Sequence, residues 1–148
     1  MPTLHLICGL AGAGKSTLAK QLEHQLPALR LTPDEWLARL SLDGHDIEKR
    51  AIVETMQWEI AARALTLGID VILENGFWTR RDRDDFRARA ALVGAKTKLY
   101  FLDVPRDELW RRIALRNETS PDTFKIKETD LNEWLTWFEP PTEDERAE

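Results

Sequence analysis

The run Gly9-Leu10-Ala11-Gly12-Ala13-Gly14-Lys15-Ser16, with Thr17 behind it, spells G-x-x-x-x-G-K-[ST], the pattern of a phosphate-cradling loop. Glycines at 9, 12 and 14 let the backbone bend and turn its N–H groups inward as an anion nest. A helix starting near Lys15 points its positive end at the same spot. Lys15 adds a mobile charge for the β- and γ-phosphates, and Ser16 offers a hydroxyl to Mg²⁺. The ligand implied is a nucleoside triphosphate with Mg²⁺.

Further residues have types and positions that suit group transfer. Asp34 opens a helix just past an apolar stretch, where a carboxylate can take a proton from an acceptor hydroxyl. Glu74 closes another apolar run, the place of an acid that helps Ser16 hold Mg²⁺. Arg112 and Arg116 are spaced i, i+4, so they share a helix face and can neutralise charge on a transferring phosphoryl group. Trp36 and Trp78 sit beside the two acids and suit an acceptor pocket, with Phe77 next to Trp78. Arg83, from the arginine-rich stretch between Arg80 and Arg116, is expected on the acceptor side as well. Lys125 and Lys127 are weaker phosphate candidates. Trp58, Trp110, Trp134 and Trp137 read as packing.

These residues need elements to hold them. Leu4 to Cys8, Ala28 to Leu31, Asp70 to Glu74 and Lys98 to Leu102 are short apolar runs that read as buried parallel strands. Helical spacing follows each of them. Thr32-Pro33-Asp34-Glu35 reads as a helix start with a capping box between Thr32 and Glu35. A long amphipathic helix is expected from Asp46 to Leu67, with Ile52, Val53, Met56, Ile60 and Ala64 along one side. Further helices are expected over 81–93, 106–117 and 129–138, and Thr119 to Lys127 as a loop. Strands alternating with helices predict a three-layer α/β/α fold around a parallel sheet of four or five strands. In such a sheet ligands bind beyond the carboxyl ends of the strands, which gathers the phosphate loop, Asp34 and Glu74 at one mouth.

The whole chain sets limits. Its 148 residues suit one domain, 1–148, with a mobile lid around 112–128. One cysteine, Cys8, excludes an internal disulfide, suits a cytoplasmic setting and reads as core. The scattered histidines argue against a transition-metal centre. No run is long and apolar enough for a membrane span. A net charge of -5 argues against nucleic acid as partner. A monomer or weak homodimer is expected.

With these residues in hand, the chain resembles the small P-loop kinases that include polynucleotide 5′-kinase, zeta-toxin kinases and chloramphenicol phosphotransferase, and especially their short bacterial ATPase-like members. The resemblance covers nearly the whole chain. It implies that Asp34, in Leu31-Thr32-Pro33-Asp34-Glu35, acts as base, with Arg39 loosely matching an arginine that follows on the same helix. The family's strand-end acid is usually Asp, where this chain has Glu74. Asp103-Val104-Pro105 leading to Arg112 and Arg116 matches a family segment, and Phe138-Glu139-Pro140-Pro141 resembles a stretch that lies near the adenine, so Pro140 is expected there. The activity implied is ATP-dependent transfer of a phosphoryl group to a hydroxyl of a small molecule. A polynucleotide 5′-hydroxyl kinase and a non-catalytic nucleotide-binding module are the alternatives.

Overall fold

The apolar runs form four parallel strands, β1 (Thr3–Cys8), β2 (Ala28–Leu31), β3 (Asp70–Gly76) and β4 (Lys96–Phe101), in the order β2-β3-β1-β4. The computed structural model describes residues 1–120 and 124–146, and the four strands are those among them. β1 lies at the centre, pairing Leu6 with Leu73 on one side and with Leu99 on the other. Its register with β3 shifts after Leu6, so that Cys8 faces Gly76 and the chain bends away into the phosphate loop.

Helices cover both faces: α1 (Lys15–Gln25), α2 (Pro33–Arg39), α3 (Ile47–Thr66), α4 (Arg80–Leu92), α5 (Arg106–Thr119) and α6 (Glu128–Trp137). Ile7 and Ile72 point to the side where Ala19 of α1 packs. Leu4, Leu6, Val71 and Leu73 point to the other, against Ala61, Ala64 and Leu65 of α3 and Ala90 of α4. A further cluster lies off the sheet, where Leu109 and Ile113 of α5 and Leu131 of α6 close on Leu10 and Ala13 of the phosphate loop. The segment joining α5 to α6 is anchored at its far end. Ile126 is buried, donates to Asn117 Oδ1 at 3.1 Å and accepts from Asn117 Nδ2 at 2.7 Å. The expected lid over 112–128 therefore comprises α5 up to Thr119 and this anchored stretch, while Pro121, Asp122 and Thr123 lie outside the described residues.

Two expectations change. α3 is rotated: Val53, Gln57, Ala61, Ala64 and Leu65 are buried, while Ile52, Met56 and Ile60 are 53%, 50% and 43% exposed. Ala61 and Ala64 let the helix come close to the sheet, and Gln57 Nε2 reaches the buried Thr32 carbonyl at 3.0 Å. The Thr32–Glu35 capping box does not form. Thr32 makes no side-chain cap, and Glu35 instead takes both Arg30 Nη atoms, at 2.6 and 3.1 Å. The acidic tail folds back as a short helix α7 (Glu143–Arg146), whose Glu145 is buried.

Candidate active site

The phosphate loop needs left-handed backbone at two points, and glycine stands at both. Gly12 has φ +84, and a Cβ there would meet Leu109 O at 2.9 Å and Ile113 Cγ1 at 3.1 Å. Gly14, φ +96, caps α1, so the first N–H groups of that helix face the loop. Lys15 Nζ donates to the carbonyls of Gly9 and Leu10 at 3.2 and 3.1 Å. Burial holds its pKa below the usual lysine value, against the pull of the Asp34 and Glu74 charges. Trp78 Nε1 also donates to Gly9 O, at 3.2 Å, so this tryptophan braces the loop from the β3 side.

Ser16 Oγ donates to Glu74 Oε1 at 2.8 Å, pairing the two residues expected to hold Mg²⁺. Glu74 is 5% exposed, and burial raises its pKa while Ser16 and Arg30 oppose the rise. Arg30 Nη1 approaches Glu74 Oε2 at 3.2 Å, but this oxygen has no hydrogen bond of good geometry. A hydroxyl beside one buried carboxylate suits Mg²⁺, which keeps several waters and takes its other ligands from phosphates. No group of three or more His, Cys, Asp or Glu side chains that could hold a metal by themselves occurs among the described residues.

Arg112 reaches from α5 onto the loop, and Arg116 lies one turn further along the helix. Arg112 Nη1 donates to Gly12 O at 3.2 Å while its Nε holds Glu108 Oε1 at 3.0 Å. Arg116 is half-buried, with Nε unpartnered and its guanidinium 6.0 Å from the Phe124 ring centre. Burial lowers its pKa, opposed by Asp34, and its charge acts on Lys15. Lysine ammonium, helix N-terminus and an arginine with an unused buried donor form a cationic cradle that fits the phosphates of ATP.

Asp34, in the first turn of α2, is exposed and ion-paired through Oδ1 with Arg50 of α3. Beside it opens a cavity of about 760 Å³ that Lys15, Asp34 and Glu74 all line. α3 supplies Arg50 and Glu54; α4 supplies Asp82, Asp85, Phe86 and Arg89; α6 supplies Asp130, Glu133, Trp134 and Trp137. Glu54 is pushed up to about 7, first by burial and then by Asp82 and Asp34, with Arg50 and Arg89 opposing. Phe77 and Trp78 line the cavity too, Phe77 in left-handed backbone (φ +51) that follows Gly76 (φ +92). The Phe77 carbonyl is fixed by Arg83 Nη1 at 2.9 Å and by the Cys8 thiol at 3.4 Å. Burial pushes that thiol up to about 11, which suits a core side chain.

Three residues expected at the acceptor side lie elsewhere. Arg83 is 1% exposed and forms a buried ion pair with Glu145, Nε to Oε1 at 2.8 Å. Its donors are taken, because the tail folds back over α4. Trp36 packs against the main core, and neither it nor the exposed Arg39 lines the cavity. Pro140 is exposed in the stretch after α6, where Glu139 N donates to Trp78 O at 2.7 Å and Arg80 N to Glu139 Oε1 at 3.3 Å. Sequence reasoning missed Arg50, Glu54 and Asp82. Asp46, Arg50 and Glu54 do form a polar stripe at helical spacing, but such stripes usually face solvent.

A family model for the AAA domain (AAA_33) matches residues 4–141. No curated protein matches the chain in sequence. A chain of the Pnkp1/Rnl/Hen1 RNA repair complex overlays with a TM-score of 0.80 at 20% identity, covering 92% of this chain and 43% of that one. The present chain thus spans less than half the length of that relative. Kti12 from Chaetomium thermophilum, in complex with ADP-AlF3, gives 0.72 at 18% identity, over 94% and 81%. The APS kinase CysC of Mycobacterium tuberculosis, in complex with AMPPNP and APS, gives 0.65 at 21%, over 95% and 84%. At these identities the likeness is one of fold, a parallel sheet with helices on both faces. No helix among the described residues is long and apolar enough to cross a membrane.

Proposed function

The chain belongs to the AAA-domain family, and from that premise we propose that it is an ATP-dependent kinase for a hydroxyl group on a small molecule. One observation carries the reading: Lys15 of the phosphate loop and Asp34 line the same cavity, so a donor on one side and an acceptor on the other share a wall. A bare nucleotide-binding module has no need of that second space.

The roles follow from position and charge. The loop amides and Lys15 hold the β- and γ-phosphates, and Arg112, which reaches Gly12, together with Arg116, whose charge acts on Lys15, offsets the charge that grows during transfer. Ser16 and Glu74 are the residues that would hold Mg²⁺, which when bound offsets phosphate charge. Arg50 fixes one oxygen of Asp34, leaving Oδ2 to accept the proton of an acceptor hydroxyl. The acceptor oxygen forms the new bond to the γ-phosphorus as the bond to the β,γ-bridging oxygen breaks. ADP and the phosphorylated acceptor leave, and the Asp34 proton passes to solvent. Positioning and charge stabilisation supply most of the rate in such a reaction.

The test pairs a screen with a variant. Consumption of ATP is followed against sugars, amino sugars, nucleosides, antibiotics and 5′-hydroxyl oligonucleotides. For any acceptor found, Asp34→Asn is expected to bind ATP as before and to lose about two to four orders of magnitude in transfer. Full transfer by that variant removes Asp34 from the mechanism. Transfer to oligonucleotides alone, with a steep dependence on salt, would instead favour a polynucleotide 5′-hydroxyl kinase.

A further inference from the structure

The cavity beside Asp34 has a marked charge imbalance. Its lining holds the carboxylates of Asp34, Glu54, Glu74, Asp82, Asp85 and the α6 pair Asp130 and Glu133, against the strong bases Lys15, Arg50 and Arg89. Several acids are already answered. Asp34 has Arg50, Asp85 has Arg89 at 2.9 Å, Glu74 has Ser16 and Arg30, and Asp130 accepts from Lys127 N at 2.9 Å. Glu54 and the Asp82 carboxylate make no hydrogen bond or ion pair among the described residues. Both line the cavity, Glu54 from α3 and Asp82 from α4, and the Asp82 charge adds to burial in raising the Glu54 pKa. Arg50, one turn from Glu54, is committed to Asp34.

A half-buried carboxyl kept partly protonated by burial first, and by neighbouring acids second, is a poor resting arrangement and a good seat for a cation. An arriving ammonium would supply the missing partner and favour the ionised form. The walls fit the same guest. Trp78 and Trp134 stand with ring centres 5.6 Å apart, and their faces suit both the C–H faces of a sugar-like ring and a nearby positive charge. A sugar acid, a phosphorylated acceptor or a nucleic acid would meet like charge on the same walls.

We propose that the acceptor is a cationic polyol of the amino sugar or aminocyclitol class, its ammonium held between Glu54 and Asp82 and a hydroxyl presented to Asp34. The proposal rests on the reading of this cavity as the acceptor site of a kinase, so binding and transfer are measured separately. Binding of glucosamine, glucose, gluconate, kanamycin and a 5′-hydroxyl oligonucleotide is titrated calorimetrically, with Mg²⁺ and a non-hydrolysable ATP analogue present. Transfer is followed with labelled ATP.

Kanamycin or glucosamine is expected to bind about tenfold or more tightly than glucose or gluconate, the order of one charge-assisted contact. Glu54→Gln, close in shape to the native residue, is expected to erase most of that preference, and Asp82→Asn to reduce it. Equal or tighter binding of the neutral or anionic probes overturns the proposal. So does failure of both cationic probes to bind, or a preference that survives both substitutions. Preferential binding of the cations without transfer sinks the kinase reading while leaving the cation site standing.

Discussion

Glu54 shows how burial and nearby acids can make a side chain a costly place for a charge. Its carboxyl ionises near 4.5 in an unfolded chain and near 7 in the folded one. Between those values the folded protein holds a proton that the unfolded chain has released, so stability falls as pH rises through that window. Glu54→Gln removes the charge and keeps the shape. It is expected to leave stability nearly unchanged at pH 4.5 and to raise it by about 2–3 kcal/mol at pH 8. Urea melts at the two pH values decide this. A difference that does not change with pH would mean that Glu54 carries its charge in the fold at no cost.

Among the elements, α7 is the one whose weight is least visible from its length. It has four residues, yet it brings Glu145 onto Arg83 at 2.8 Å, onto Arg87 at 3.1 Å and onto Arg80 at 3.5 Å. Arg83 in turn fixes the Phe77 carbonyl, and so the left-handed turn at the mouth of the cavity. Arginine neighbours hold the Glu145 carboxyl down at about 2, against the opposing push of burial. Removing one member of such a pair strands a buried charge. Glu145→Ala is therefore expected to cost about 3–5 kcal/mol, and the double change Arg83→Met with Glu145→Leu to recover much of that. Thermal or urea unfolding of the three proteins tests it. A single variant as stable as the wild type would show that α7 does not anchor the turn.

At the scale of the molecule, two apolar clusters on the faces of the sheet and a third off its end divide the work. The third packs α5 and α6 against Leu10 and Ala13, so α5 and the phosphate loop are held side by side. A nucleotide bridging them should stabilise the whole fold by mass action. At about a hundred times its Kd, a non-hydrolysable ATP analogue with Mg²⁺ is expected to add about 2.7 kcal/mol, or roughly 5–10 °C in Tm. In Lys15→Ala most of that shift should disappear. A shift as large as that of the wild type would take Lys15 out of the phosphate site.

Local signals in the sequence determined the phosphate loop, the four strands and the helix that follows each of them. The glycine spacing and the short apolar runs act over a few residues, and one chain carries them in full. The partnership of Ser16 with Glu74 was legible too, because strand ends in a parallel sheet converge on one edge. The rotation of α3 was not. That helix carries two apolar stripes, and the richer one, Ile52, Met56 and Ile60, faces outward. Periodicity specifies a helix, but its orientation depends on how closely Ala61 and Ala64 let it approach the sheet and on the bond from Gln57 to Thr32. Arg83 looked like one more arginine on a charged helix until the tail folded Glu145 back upon it, 62 positions away in the chain. The cavity is the clearest case. Its acids come from α2, α3, α4, α6 and the end of β3, so its charge exists only once packing has brought those elements together.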